Sequence, residues 1–103
     1  MGHQDIKSRL LARRLGEDVV DVDGVGPVRV RGLNRDESIR VGKEADPHKR
    51  DRIMLSCGMV DPAMTEEDVA AWQLAAPGGE IEDVSRKIAA LSKLTEEAPK
   101  GDV

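Results

Sequence analysis

Aromatic residues are almost absent from the sequence: it contains no phenylalanine and no tyrosine, and Trp72 is its only tryptophan. The hydrophobic core must therefore be built from aliphatic side chains and methionine. A chain of 103 residues is also short, and at that length only about two-thirds of the unfolded surface is buried on folding. These limits predict one small domain made of short helices and a β-hairpin.

Cysteine and long apolar segments are scarce as well. Cys57 is the only cysteine, which excludes an intrachain disulfide and fits a reducing cytoplasm. No apolar run approaches the length of a transmembrane helix, and the first six residues carry neither a signal-peptide core nor a myristoylation signal. We therefore expect a cytoplasmic protein that does not contact a membrane.

The residue patterns of catalytic, metal and cofactor sites are missing too. His3, His48 and Cys57 do not have metal-ligand spacing, and no Ser-His-acid or Cys-His arrangement is evident. Gly24 and Gly26 are not followed by the lysine and hydroxyl residue of a phosphate-binding loop. The sequence predicts a protein that is not an enzyme and needs no cofactor or metal.

Charged residues make up 35% of the chain, with a formal net charge of −4, so no overall basic field favours nucleic acid. Residues 5–15 nevertheless carry apolar residues at helical spacing among Lys7, Arg9, Arg13 and Arg14, which predicts an amphipathic helix with a basic outer face. A nucleic-acid arm is one interpretation of that face. A solvated face is favoured, because aromatic stacking partners are missing.

Alternation of valine with charged residues predicts a β-hairpin from residues 19–22 and 28–31, joined by the turn at residues 23–27. Four valines would face inward: Val20, Val22, Val28 and Val30. Two aspartates of the first strand and turn, Asp21 and Asp23, would lie near two arginines of the second, Arg29 and Arg31. A lone hairpin is marginal in water, so helices must cover its valine face or another chain must complete its edge.

Capping residues predict the helices that follow. Asn34 with Glu37 marks the start of a short helix, and Asp46 with Pro47 marks a second that runs to Gly58. Three residues near the end of this second helix are expected to be buried: Ile53, Met54 and Cys57. Residues 59–63 are expected to form an extended connection, and residues 95–103 to form a disordered tail after a single domain of residues 1–94.

Residues 64–94 predict two helices separated by a Pro-Gly-Gly break at residues 77–79. Thr65 with Asp68 forms a capping box at the start of the first helix. The predicted fold class is therefore α+β and mostly α-helical, a small β-hairpin packed against about four or five short helices. An apolar stripe along this pair supplies the candidate partner-binding residues, although most of them must also hold the core: Val69, Trp72, Ile81, Val84, Ile88 and Leu91.

Four stretches in succession carry a resemblance to a known family: residues 28–33 (VRVRGL), 58–65 (GMVDPAMT), 67–72 (EDVAAW) and 88–94 (IAALSKL). In order and approximate spacing they resemble the tail assembly chaperones of long-tailed (siphovirus-type) phages, particularly those of actinobacterial phages and prophages. The resemblance covers about residues 19–94. Lys93 departs from it, because a small residue, often glycine, is expected after Leu-Ser.

The resemblance implies a mostly helical, non-catalytic protein of the bacterial host cytoplasm that is not expected in the mature virion. Its partners would be the tape-measure protein, which is long, helical and aggregation-prone, and the tail-tube protein; self-association is possible. Such families often make a longer product by programmed ribosomal frameshifting. Residues 98–101 (APKG) suggest a slip site, a hypothesis that fails if the codons there offer no slippery heptamer.

Two other functions stay open at this stage. One is a small DNA-binding or regulatory protein that uses the basic helix at residues 7–14 or the basic residues of the Asp46-capped helix, Lys49, Arg50 and Arg52. The negative net charge argues against it, because phosphate contacts need a net basic face. The other is a structural tail component of the virion, for which the sequence has few strand-like stretches.

Overall fold

The computed structural model describes residues 2–94, which form five α-helices and one three-stranded antiparallel sheet. In chain order the elements are α1 (Gly2–Leu11), β1 (Glu17–Val22), β2 (Gly26–Arg31), α2 (Arg35–Lys43), α3 (Pro47–Gly58), β3 (Met59–Asp61), α4 (Glu66–Ala75) and α5 (Gly78–Leu91). The predicted α+β, mostly helical class is confirmed. The predictions of a disordered tail and of a slip site lie outside the described residues.

The hairpin forms where the valine pattern predicts it, with Val20 opposite Val28 in the antiparallel register of β1 and β2. Val22, Val28 and Val30 are buried, and Val20 packs partly buried against them. Because side chains of a strand alternate between faces, these valines form one apolar side of the sheet. The helix α5 contacts both β1 and β2, and buried residues of α3 and α5 join these valines in one core cluster.

The predicted pairing of charges across the hairpin is wrong. The register places Val19 opposite Arg29 and Asp21 opposite Pro27, because the short turn brings Val22 directly opposite Gly26. The two arginines of β2 instead reach glutamates: Arg29 lies 3.9 Å from Glu17, and Arg31 lies 2.9 Å from Glu37.

A third strand completes one edge of the hairpin from within the chain. Met59–Asp61, expected as part of an extended connection, forms β3 and pairs antiparallel with β2, opposite Val30 and Arg29. At three residues it is too short to show an alternating pattern, and that is why the sequence did not reveal it. Its first residue, Met59, is buried in the core.

Arg31 ties the end of β2 to α2. Its guanidinium donates hydrogen bonds of 2.9 and 3.0 Å to the Glu37 carboxylate, and the predicted capping box between Asn34 and Glu37 is present. The hydrogen bonds from Arg31 are the main reason that the pKa of Glu37 lies below its usual range. The stability from this pair is therefore present above the usual glutamate pKa and is lost as the pH falls through the lowered value.

The helix α3 begins as predicted, with the Asp46 side chain accepting a hydrogen bond from the His48 backbone N–H. Its buried residue differs from the prediction. Leu55 is fully buried, whereas the three residues expected to be buried are only partly so: Ile53, Met54 and Cys57. The helix contacts α2, α4 and α5, and Leu55 is its fully buried side chain in the core.

The helices α4 and α5 have the predicted start and break. Thr65 and Asp68 form the capping box of α4, and α5 begins one residue after Pro77. The apolar stripe of α5 enters the core through Ile81, Val84 and Ile88. Gly58 at the end of α3 permits a close approach there, because a Cβ atom at that position would lie 2.6 Å from the Cδ1 atom of Ile88.

The backbone at the end of α5 explains why a small residue, often glycine, is expected at position 93 from the family resemblance. Lys93 has a φ of 64°, in the left-handed region. Its N–H donates to the Ala90 carbonyl, and the Leu94 N–H donates to the Ala89 carbonyl. This is the Schellman pattern of helix termination, whose left-handed position is usually glycine because a Cβ atom is unfavourable there.

Lys93→Gly is therefore expected to raise the free energy of unfolding by about 0.5–1 kcal/mol, since relief of the left-handed strain outweighs the extra freedom of glycine in the unfolded chain. Urea unfolding followed by circular dichroism measures the change. Lys93→Ala is the matched control, because it removes the same side chain but keeps the Cβ atom, and it should leave stability unchanged. Equal effects of the two substitutions would contradict the prediction.

The N-terminal helix α1 begins at Gly2 and ends at Leu11, so it starts and ends earlier than the helix predicted for residues 5–15. The chain after it turns into the sheet, where the Gly16 carbonyl accepts a 2.9 Å hydrogen bond from the Gly32 N–H. The expected inner apolar face of this helix is not covered. Ile6 is 57% exposed, Leu10 63% and Leu11 76%, so α1 presents apolar side chains to solvent.

Candidate functional site

Most of the predicted partner-binding residues lie in the core. Val69 and Ile88 are fully buried, and Ile81 and Val84 are nearly so. Leu91 is partly buried where α5 passes Gly16 and Gly32. Trp72 is the exception: it is partly buried and lines an open groove on the surface. The heptad-like stripe of α5 is therefore mainly a packing surface, and Trp72 is the residue of the six that a partner can contact at this groove.

The groove, called here the Trp72 groove, has a volume of about 400 Å³. It lies between the turn end of the hairpin, the segment after β3 and the junction of α4 with α5. Its lining is apolar except for one carboxylate: Val22, Val25, Val28, Met59, Pro62, Met64, Trp72, Ala75, Ala76, Pro77 and Glu80. The hairpin, the segment from β3 to the start of α4, and the junction of α4 with α5 thus build one apolar surface.

Trp72 is held in a defined position at the groove. Its indole Nε1–H donates a 2.8 Å hydrogen bond to the Oε2 atom of Glu80, across the break between α4 and α5. A buried indole N–H usually needs a partner, and this bond supplies it while the ring faces the groove. The carboxylate of Glu80 is thereby directed to the indole at one side of the apolar lining.

Two methionines and an exposed valine also belong to the lining of the Trp72 groove. Met59 and Met64 lie in the lining, and methionine adapts to differently shaped partners because its side chain is unbranched and polarizable. Val25, at the tip of the hairpin, is 71% exposed. Sequence reasoning missed Val25 as a site residue. It treated the methionines as core, and Met59 is buried there, whereas Met64 is only partly buried against the core; both also line the groove.

The free edge of β1 is a poor site for an added strand. Glu17 and Asp18 place charge there, which is a common protection of edge strands. The Asp18 carboxylate also accepts a 2.8 Å hydrogen bond from the Val19 backbone N–H and lies 2.9 Å from Lys87 on α5. The hydrogen bond from Lys87 is the main cause that lowers the pKa of Asp18. The edge donor at Val19 is thus already occupied.

In the part of the chain that the structure describes, Cys57 and the acidic residues show no arrangement of their own that suggests a site. Burial raises the pKa of the Cys57 thiol, which keeps it protonated near neutral pH. Within residues 2–94, no three His, Cys, Asp or Glu side chains lie together as a metal site would need. Nor does that part of the chain contain a helix with the length and apolar character to cross a membrane.

Comparison of the chain with protein-family models, curated protein sequences and solved structures finds no match. The geometry of the Trp72 groove and the exposed face of α1 are therefore the observations from which function has to be inferred.

Proposed function

We propose that this chain is a tail assembly chaperone of a long-tailed phage or prophage. In this role it is non-catalytic, works in the cytoplasm of the bacterial host and is absent from the finished virion. Its client is the tape-measure protein, whose apolar helical segments it covers until tail-tube subunits replace it. The observation that carries the proposal is the open, apolar Trp72 groove, and the succession of motifs over residues 19–94 supports it.

The character of the groove favours the apolar face of a helix over a small molecule. Small-molecule sites fix their ligands with several polar groups, whereas the only carboxylate here, Glu80, is already bonded to the Trp72 indole. A helix that enters a groove is held instead by apolar side chains spaced three or four residues apart. The adaptable side chains of Met59 and Met64 suit a client that offers many different segments of this kind.

One groove gives only a weak complex. Three aliphatic client side chains buried there would contribute about 5–9 kcal/mol in total, at about 1.5–3 kcal/mol each. Lost translational and rotational freedom offsets about 4 kcal/mol or more of this. The remainder corresponds to reversible binding that tube subunits can displace. Protection of a long client therefore requires many copies bound along it, each covering a short segment.

Co-expression tests the proposed function. When the tape-measure protein of the same genome is produced alone, it should aggregate, and co-production of this chain should raise its soluble fraction several-fold. The measurement is the amount of the long protein in the supernatant after cell lysis and centrifugation. Equal aggregation with and without this chain would contradict the proposal.

Gene order offers an independent check. We expect a reading frame directly downstream that overlaps in the −1 frame, followed by one very long frame for an apolar helical protein. A different neighbourhood, without a long helical protein downstream, would count against the phage assignment even if the groove binds apolar peptides.

A further inference from the structure

Among the described residues, the helix α1 carries three exposed large apolar side chains outside the Trp72 groove. Ile6 and Leu10 are four residues apart and share one face, with Leu11 beside them, and all three are more than half exposed. Such a face is unfavourable in water unless something covers it. The same helix and its linker are basic, since the first 16 residues contain Lys7, Arg9, Arg13 and Arg14 but only one acidic residue, Asp5.

The rest of the chain has the opposite charge. Residues 17–103 contain 12 basic and 19 acidic residues. Acidic residues outnumber basic ones near the Trp72 groove: Glu80 lines it, Asp21 and Asp23 flank Val22, and Asp61 precedes Pro62, whereas Arg29, opposite Asp61, is the one basic residue next to a lining residue in the sequence. No lysine or arginine is among the described residues that line the groove. A basic amphipathic helix therefore matches the groove in both apolar character and charge.

The linker makes it difficult for α1 to enter the groove of its own chain. Gly16 is held by its hydrogen bond with Gly32, and only four residues separate it from Leu11. Fully extended, those residues place Leu11 at most about 17 Å from Gly16. The groove lies at the other end of β1, about 20 Å along the strand. Self-docking would need an almost straight linker, whereas a second copy has no such restriction.

We propose that α1 of one copy docks in the Trp72 groove of a second copy, and that the exchange is reciprocal, so that the client-free protein is a dimer. Ile6 and Leu10 are the apolar anchors, and Lys7 and Arg9 of α1, with Arg13 and Arg14 of the linker, face the acidic surroundings of the groove. The dimer covers the apolar face of α1 and the Trp72 groove at once. A client helix then competes with α1 for the groove, which keeps the groove closed until a client is present. This inference requires the groove but not the identity of the client.

Two double variants test the dimer from its two sides. Ile6→Gln with Leu10→Gln removes the anchors of α1, and Val25→Lys with Ala75→Lys places like charge in the groove. Wild-type protein at tens of micromolar should sediment as a dimer, and each variant should sediment as a monomer with at least a tenfold weaker association. All four side chains are exposed, so the thermal unfolding midpoint of the remaining fold should not change. Leu74→Lys, at a 91% exposed leucine outside the groove lining, is the matched control and should remain dimeric.

A mixture of the two double variants gives the decisive result. The α1 variant keeps an intact groove and the groove variant keeps an intact α1, so the pair should form a heterodimer although neither variant dimerises alone. Trp72 emission should shift to shorter wavelength on mixing, because Trp72 is the only tryptophan and lines the occupied groove. A wild-type monomer at all concentrations, a dimer that survives either double variant, or a mixture that stays monomeric would overturn the proposal. A monomer whose Trp72 emission depends on Ile6 and Leu10 would indicate docking within one chain and would overturn it as well.

Discussion

Replacement of Ile88 by alanine should lower the free energy of unfolding by about 2–5 kcal/mol, the range for truncation of a large buried aliphatic side chain. Ile88 is fully buried on α5 and fills the space beside Gly58 of α3. Small domains are stable by only about 5–15 kcal/mol in total. This one substitution should therefore remove a large share of the total stability and bring the domain closer to unfolding. Urea denaturation at 25 °C measures the loss.

The contact with Gly58 makes the same site a test of packing geometry. Gly58→Ala alone should destabilise the domain by about 1–3 kcal/mol, because the new Cβ atom would lie 2.6 Å from Cδ1 and 2.9 Å from Cγ2 of Ile88. In the double variant, alanine at position 88 leaves room for that Cβ atom. The combined loss should therefore be smaller than the sum of the two single losses.

A second glycine provides the control for this cycle. Gly42 lies within α2 with nothing within 4 Å of the position that a Cβ atom would take. Gly42→Ala should stabilise the protein by up to about 1 kcal/mol, because alanine favours the helix and meets no clash. Additive losses at positions 58 and 88 would show that the two residues are not in the contact described.

The proposed function predicts that Val25→Lys with Ala75→Lys abolishes the gain in solubility of the tape-measure protein on co-production with this chain. Each lysine would place an ammonium group at the wall of the apolar groove, and a client helix would have to desolvate that charge without a partner. We expect at least a tenfold loss of client affinity, which returns the client to the pellet in the co-expression assay. Both positions are exposed, so the fold should persist.

The control for the groove variant is again Leu74→Lys. Leu74 is on α4, near Ala75, and it is 91% exposed, but it is not part of the groove lining. It carries the same charge change on the same helix and should leave the client soluble. If the client aggregates with Leu74→Lys, or stays soluble with the groove variant, client binding does not depend on the Trp72 groove.

Local signals in the sequence predicted the helix starts and the hairpin well. Asn34, Asp46 and Thr65 cap helices as expected, because a side-chain acceptor beside free backbone N–H groups acts within a few residues. The valine alternation likewise placed the inward face of the hairpin. The charge pairing across the strands failed, since it depended on the length of the turn, and a shift of the register changes every partner.

The candidate site was much harder to predict. The spacing of Ile81, Val84 and Ile88 shows that they share a helix face, but spacing cannot tell whether that face meets the core or a partner. The groove contains Val25, Met59 and Trp72, which are far apart in sequence and meet only through the packing of the hairpin against α4 and α5. From the sequence, Trp72 was one of six candidate partner-binding residues, and the other five do not belong to this groove lining.

The uncovered face of α1 was also beyond the reach of the sequence pattern. Ile6 and Leu10 give the same periodicity as a packed helix, and that periodicity does not show that both side chains are exposed. At Lys93 the sequence did show an unusual residue, because lysine departs from the family resemblance at that position. The left-handed conformation of Lys93 gives the structural reason why a glycine would fit there.

Site-specific photo-crosslinking tests most directly the central claim that the Trp72 groove holds apolar helical segments of the tape-measure protein. A photoreactive side chain at position 25 lies in the groove lining, and one at position 74 lies on exposed surface outside it. In cells that produce both proteins, position 25 should crosslink to apolar helical segments of the client many times more efficiently than position 74, as identified by mass spectrometry. Equal crosslinking from both positions, or none to the tape-measure protein from position 25, would contradict the claim.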